Sequence, residues 1–192
     1  MLSEDTLMRL CIFVSVLVLI VIWERLAPCR RHSASIVQRW FSNLGISLIN
    51  RLLLSALPLS LLAAWAADSD QNLGLFNLVD TPEWVALVGS IVLLDLVVYA
   101  QHRLFHRVPL LWRLHRMHHA DVDFDVSTGV RFHPLEAVLS VLIKGTVVLL
   151  LGVPVVAVLV FEVVLSSTSL FNHANASLPR GVDGIVRWRW HG

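Results

Sequence analysis

The stretch Asp95-Leu-Val-Val-Tyr99-Ala-Gln-His102-Arg-Leu-Phe-His106-Arg-Val-Pro109-Leu-Leu-Trp112-Arg-Leu-His115-Arg-Met-His118-His119 decides how the rest of the chain is read. Five of the chain's nine histidines fall within its last 18 residues. They are ordered as well as crowded. His102 and His106 form H-x-x-x-H, and His115, His118 and His119 form H-x-x-H-H. Residues three and four apart share one helix face, so each group can aim its imidazoles at one point. Two such faces, brought together, would surround a metal ion or a pair of them. Neutral imidazole suits iron, zinc, copper and nickel. Metal-bound histidines also need acceptors behind them to fix the tautomer. Asp95, two helical turns before His102, is placed for that role, as are Asp121, Asp123 and Asp125. A lipid-headgroup belt also gathers His and Arg, but it predicts no helical register among the histidines.

Apolar runs flank this stretch. The chain has 192 residues, of which 56% are hydrophobic and 15% charged, with mean hydropathy +0.72. A soluble domain carries about 25% charged residues. The composition excludes disorder, a collagenous repeat and a disulfide scaffold, and a formal charge of +1 gives no reason to expect a nucleic-acid partner. Cys11 and Cys29 are read as free thiols. Residues 7–23 reach about 17, the lower limit for a span. The acidic start at Glu4 and Asp5 is unlike a signal peptide, so this segment is expected to stay. Arg25, Arg30, Arg31, His32 and Arg39 follow and place residues 24–43 in the cytoplasm; His32 is read as a solvated surface side chain. A second run, 44–67, contains Arg51, which can snorkel, and Pro58, which kinks it. Asp68, Asp70, Asp80 and Glu83 form an external acidic loop. Thr81 or Asp80 then caps a helix with Pro82 at its first position. The third run, 84–100, carries Asp95. The fourth, 135–170, is broken at Leu151-Gly-Val-Pro154. It reads as a hairpin that returns Asn172, His173 and Asn175 to the side of the earlier histidines. The expected fold is an all-α integral membrane protein. It has about three spanning helices plus a helical hairpin, and a cytoplasmic histidine-rich helical cap. Residues 1–83 form the N-terminal helices and external loop, and 84–192 the catalytic region.

The quoted stretch, with Arg131-Phe-His133-Pro134-Leu-Glu136 and Phe171-Asn172-His173-Ala-Asn175-Ala-Ser-Leu-Pro179, resembles the fatty acid hydroxylase / sterol desaturase superfamily. Separate motifs agree in order over residues 84–190, whereas the N-terminal third is similar only as hydrophobic helices. The resemblance implies an integral membrane oxidoreductase with a histidine-bound di-iron centre. Zinc can take the place of iron on purification. Such an enzyme hydroxylates or desaturates a lipid or sterol drawn from the bilayer, using O₂ and an external electron donor. It belongs in a bacterial inner membrane or the endoplasmic reticulum, with its histidine boxes on the cytoplasmic side. His102, His106, His115, His118, His119 and His173 are then the catalytic metal ligands and His133 a further ligand candidate. Asp95, Tyr99 and Asn172 stand behind them, and Glu136 holds a helix start. The family carries a third H-x-x-H-H after the segment matching 172–188. Here Arg189-Trp-His191-Gly192 supplies one histidine, which implies truncation before that box.

Other classes compete. A zinc hydrolase needs H-E-x-x-H, but Arg-Leu-Phe separates His102 from His106. A haem carrier needs axial ligands on opposed sides, which neighbours on one helix face do not supply. A metal transporter needs polar ligands within its spans, where this reading finds Asp95 and Glu162 alone. A truncated, inactive paralogue is the remaining alternative.

Overall fold

The computed structural model describes residues 4–57, 74–179 and 181–182. Its helices are α1 (Glu4–Leu26), α2 (Ile36–Ala56), the short α3 (Leu75–Leu78), α4 (Glu83–Arg107), α5 (Pro109–His115), α6 (Pro134–Leu151) and α7 (Val155–Asn172). Single 3-10 turns occur at His118–Ala120 and Val126–Val130. No strand occurs among the described residues. Among the described residues, four helical stretches are long and apolar enough to cross a bilayer: Leu7–Leu26 of α1, and α4, α6 and α7. The chain is an all-α membrane protein. A helix suits that setting because it bonds its own backbone where no water can. Large apolar side chains such as Val14, Val18 and Ile22 on α1 and Val88, Val92 and Leu96 on α4 are exposed, as lipid contact requires.

The buried core is small. Leu94 of α4 packs with Val153, Ala157 and Phe161 of the α6–α7 hairpin. Ile20 of α1, Val126 and Leu170 of α7 form a second cluster. The hairpin turns at Gly152, whose φ of 67° closes α6 in the left-handed conformation, where glycine carries no Cβ penalty. Gly74, at φ 107°, approaches that turn so closely that a Cβ would overlap the Gly152 backbone. Within the hairpin Lys144 Nζ donates to Glu162 Oε1 at 2.6 Å. The sequence reading of the in-span charges omitted Lys144, which makes this ion pair the correction to it.

α2 departs from the expected second span. Its helix begins at Ile36, not near residue 44, and buries Arg39, Asn43 and Asn50. Phe41, Leu44, Leu48 and Leu52 are exposed, so its polar face points inward and its apolar face outward. The inward face meets the Asp121–Asp125 segment, which explains the inversion. Pro58, Asp68 and Asp70 lie outside the described residues. Pro82 is the N-cap of α4 and Glu83 its first residue, one position later than expected; Asp80 takes a φ of 47°. α4 also continues past Ala100, so the first histidine pair rides on its last turns.

Candidate metal centre

His102 and His106 sit one turn apart near the end of α4, with their Nε2 atoms 3.2 Å apart. Pro109, at the first position of α5, ends α4 because it offers no N–H and disfavours helix in the preceding residue. The chain folds back over seven residues of α5 to bring His115 against both. One ligand nitrogen from each of His102, His106 and His115 lies within 4.8 Å of the others. His119 joins this group, its Nε2 3.2 Å from that of His115 and its ring 5.0 Å from that of His106.

The H-x-x-H-H segment is not one continuous helix. α5 stops at His115, and His118–Ala120 is a 3-10 turn. Arg131 Nε donates to the Met117 carbonyl at 2.9 Å, satisfying a group that a longer helix would have bonded itself. The break separates neighbours. His119 faces back to His115, while His118 turns toward α7, where its Nε2 lies 2.8 Å from that of His173. The rings of His115 and His118 have centroids 5.4 Å apart, so the two sets are contiguous. The structure thus brings together His102, His106, His115, His118, His119 and His173.

The far sides of three rings are held. His115 Nδ1 meets Glu136 Oε1 at 2.7 Å, with both side chains buried. His118 Nδ1 donates to the Arg131 carbonyl at 3.0 Å, and His173 Nδ1 to the Ser169 carbonyl at 2.7 Å. A carbonyl only accepts, so these two Nδ1 atoms carry the protons and both Nε2 atoms present lone pairs. Two facing lone pairs repel unless a cation lies between them. Burial pushes His118 down to about 3, and the adjacent His173 adds to the effect. Burial also lowers His119 and His173. All three are therefore neutral at pH 7, the form that binds metal. Phe132 stacks on His118 at 4.6 Å and Phe124 on His173 at 5.8 Å, which shields these two rings, whereas His102, His106 and His119 are exposed.

Several expected residues go elsewhere. His133 caps α6, its Nδ1 accepting from the Leu135 amide at 3.2 Å. Asp95 is exposed, without a hydrogen-bond partner among the described residues. Tyr99 accepts from Arg103 at 2.7 Å. Asn172 is exposed. Asp121 and Asp125 grip Arg39 of α2 at 2.7 and 2.8 Å, and the Arg39 guanidinium holds Asp121 well below the usual carboxylate range despite its burial. Asp123 accepts from the Ser33 and Ala34 amides at 2.7 and 2.8 Å. These three aspartates anchor the α1–α2 loop and α2; none touches a histidine of the cluster. The carboxylate behind the cluster is Glu136, read beforehand only as a helix-start residue. His32 is half-buried beside Arg39 and Asn175, at 3.2 and 3.3 Å, not a free surface ring. His191 lies outside the described residues. Sequence reasoning also missed the roles of Arg39, Asn43 and Arg131. Arg39 looked like part of a charge patch, and only its helical register with Asn43, four residues on, hinted at an inward polar face.

The fatty acid hydroxylase family model matches residues 87–191, more than half of the chain. An ornithine lipid hydroxylase of Rhizobium tropici is 23% identical over 191 residues, an alignment covering 94% of this chain and 58% of that protein. The chain therefore spans well under two thirds of the length of that curated relative. No solved structure matches it.

Proposed function

The chain belongs to the fatty acid hydroxylase family, and on that premise we propose that it is a membrane oxidoreductase that uses O₂ to hydroxylate a C–H bond of a lipid. The observation that carries the reading is the pair of Nε2 lone pairs of His118 and His173, held 2.8 Å apart by protons fixed on the far nitrogens. The donor set fits iron: six imidazoles, with acceptors already behind three of them. His102, His106, His115 and His119 would hold one ion and His118 and His173 a share of a second. Iron bound there supplies the O₂ activation that oxidation of an unactivated C–H bond requires.

The chain's own residues do the rest. Glu136 and the Arg131 and Ser169 carbonyls keep each Nδ1 protonated and each ring turned inward. Phe132 and Phe124 pack against His118 and His173 and hold those rings in place. Proline-terminated α4 carries the first pair at the end of a span, where an acyl chain in the bilayer reaches it without leaving the membrane. The basic residues Arg25, Arg30 and Arg31 favour a cytoplasmic position for this end, which gives an external electron donor access to it. Ornithine lipid is the first substrate to try, since it is named for the Rhizobium relative.

The purified chain is expected to carry iron, and His118→Ala to lose most of it with helix content unchanged. Expression in a host that makes the substrate is expected to give a lipid with one added oxygen atom. A wild-type chain that binds no iron by elemental analysis would overturn the metal assignment. Iron binding with an unaltered lipid profile would overturn the hydroxylase reading.

A further inference from the structure

Where α1 ends, the chain forms a cleft separate from the histidine cluster. It encloses about 350 Å³, within the range of small-ligand sites. Arg25, Arg30, Arg31 and His32 border it, and Val21 and Trp40 give it an apolar wall. The three arginines are exposed, and their guanidinium groups have no hydrogen bond or ion pair among the described residues. Two carboxylates also border the cleft, but both are engaged. Glu24 Oε1 accepts from the Val126 and Asn175 amides at 2.8 and 2.6 Å, and Asp125 holds Arg39 at 2.8 Å. Three guanidinium groups without a partner among the described residues therefore border the cavity, against two carboxylates already held by other groups.

The walls of this cleft are fixed. Asn175 Oδ1 accepts from the Arg30 amide at 2.9 Å, and its Nδ2 donates to the Arg30 carbonyl at 2.8 Å. The Ala27 carbonyl accepts from the Ser177 amide at 2.8 Å. The loop that carries the arginines is thus tied to the chain beyond α7 and does not have to order itself around a ligand. The depth is also defined. Arg25 is the penultimate residue of the apolar stretch Leu7–Leu26, which puts it where hydrocarbon gives way to headgroups. Val18, Ile22 and Leu26 run along α1 beside it and are exposed, so acyl chains have an apolar face to lie against.

We propose that this cleft binds a phosphate group, and that the phosphate is the headgroup of an anionic phospholipid. Guanidinium forks match phosphate oxygens in pairs. Tryptophan at the interface suits the boundary between headgroup and acyl chain.

The test uses the full chain purified in mild detergent and native mass spectrometry, with phosphatidic acid, diacylglycerol and inorganic phosphate as probes. The wild-type chain is expected to retain one phosphatidic acid and no diacylglycerol. Inorganic phosphate at matched concentration should fail to displace it. The triple variant Arg25→Gln, Arg30→Gln, Arg31→Gln should lower retention by about tenfold or more. Arg107→Gln with Arg113→Gln, exposed cations on α4 and α5 outside the cleft, should leave it unchanged. Equal retention by the triple variant, equal loss in the second variant, or retention of diacylglycerol would overturn the site. Full displacement by inorganic phosphate would overturn the lipid source. All five positions are exposed, so these variants are expected to fold.

Discussion

Glu136 is the residue whose removal should separate folding from metal binding. Its carboxylate accepts from His115 Nδ1 at 2.7 Å and fixes which nitrogen faces the cluster. Glu136→Ala is expected to weaken metal binding by about 10–100-fold, measured by competition with a chelator. Glu136→Gln, which keeps an acceptor oxygen, should lose less. The histidines also set a pH dependence. His118 is held down to about 3 from its ordinary 6.5. Below pH 6.5 the unfolded chain takes up a proton that the folded chain refuses. The metal-free protein should therefore lose stability as pH falls from 6.5 toward 3, and this residue adds no further loss below that. His119 and His173 act in the same direction. Asp121 is held below its ordinary 3.8, so its stabilisation is present above 3.8 and lost as pH falls below it. A thermal midpoint of the metal-free protein that fails to drop between about pH 7.5 and pH 5 would contradict the histidine assignment.

At the scale of elements, α2 is attached by charge. Arg39 is buried between Asp121 and Asp125, and Asn43 donates to Asp121 and Ser127, each at 2.9 Å. Arg39→Met leaves two buried carboxylates without their cation and should cost about 3–5 kcal/mol in denaturant unfolding. The α6–α7 hairpin carries the opposite lesson. Lys144→Met alone strands Glu162 within the apolar hairpin and should destabilise it. Lys144→Met with Glu162→Leu should recover most or all of that loss, because apolar residues suit a membrane-spanning hairpin and replace the part-buried pair at little net cost. A double variant no more stable than the single one would show that the pair does more than join the two helices.

At the scale of the molecule, two free cysteines, one on α1 and one just beyond it, report the topology. Cys11 lies within the apolar stretch Leu7–Leu26 and Cys29 in the polar loop beyond it, and both are exposed and unpaired. A membrane-impermeant maleimide should label Cys29 from the cytoplasmic side and leave Cys11 unmodified in intact membranes. Labelling of Cys29 from the outer face would invert the proposed orientation.

The first and third spans, the hairpin with its break at Gly152 and the clustered histidines were legible in the sequence, whereas the expected second span was not, because the inward polar face of α2 shows only against the Asp121–Asp125 segment. Hydropathy and i, i+4 periodicity are local properties, and a bilayer leaves helices little choice. The partners behind the cluster were not legible. Asp121 and Asp125 follow the second histidine group closely, yet they bind Arg39, more than eighty residues away in sequence. Glu136 stands 21 residues from His115 and touches it. Spacing says which residues can share a face, but not where a chain breaks from α-helix into a 3-10 turn, and that break sends His118 to His173 and His119 to His115. The sequence by itself determined a membrane protein of the histidine-box kind. Tertiary structure decided which nitrogen faces which and which carboxylate supports it, because those contacts form between helices whose relative placement no local pattern encodes.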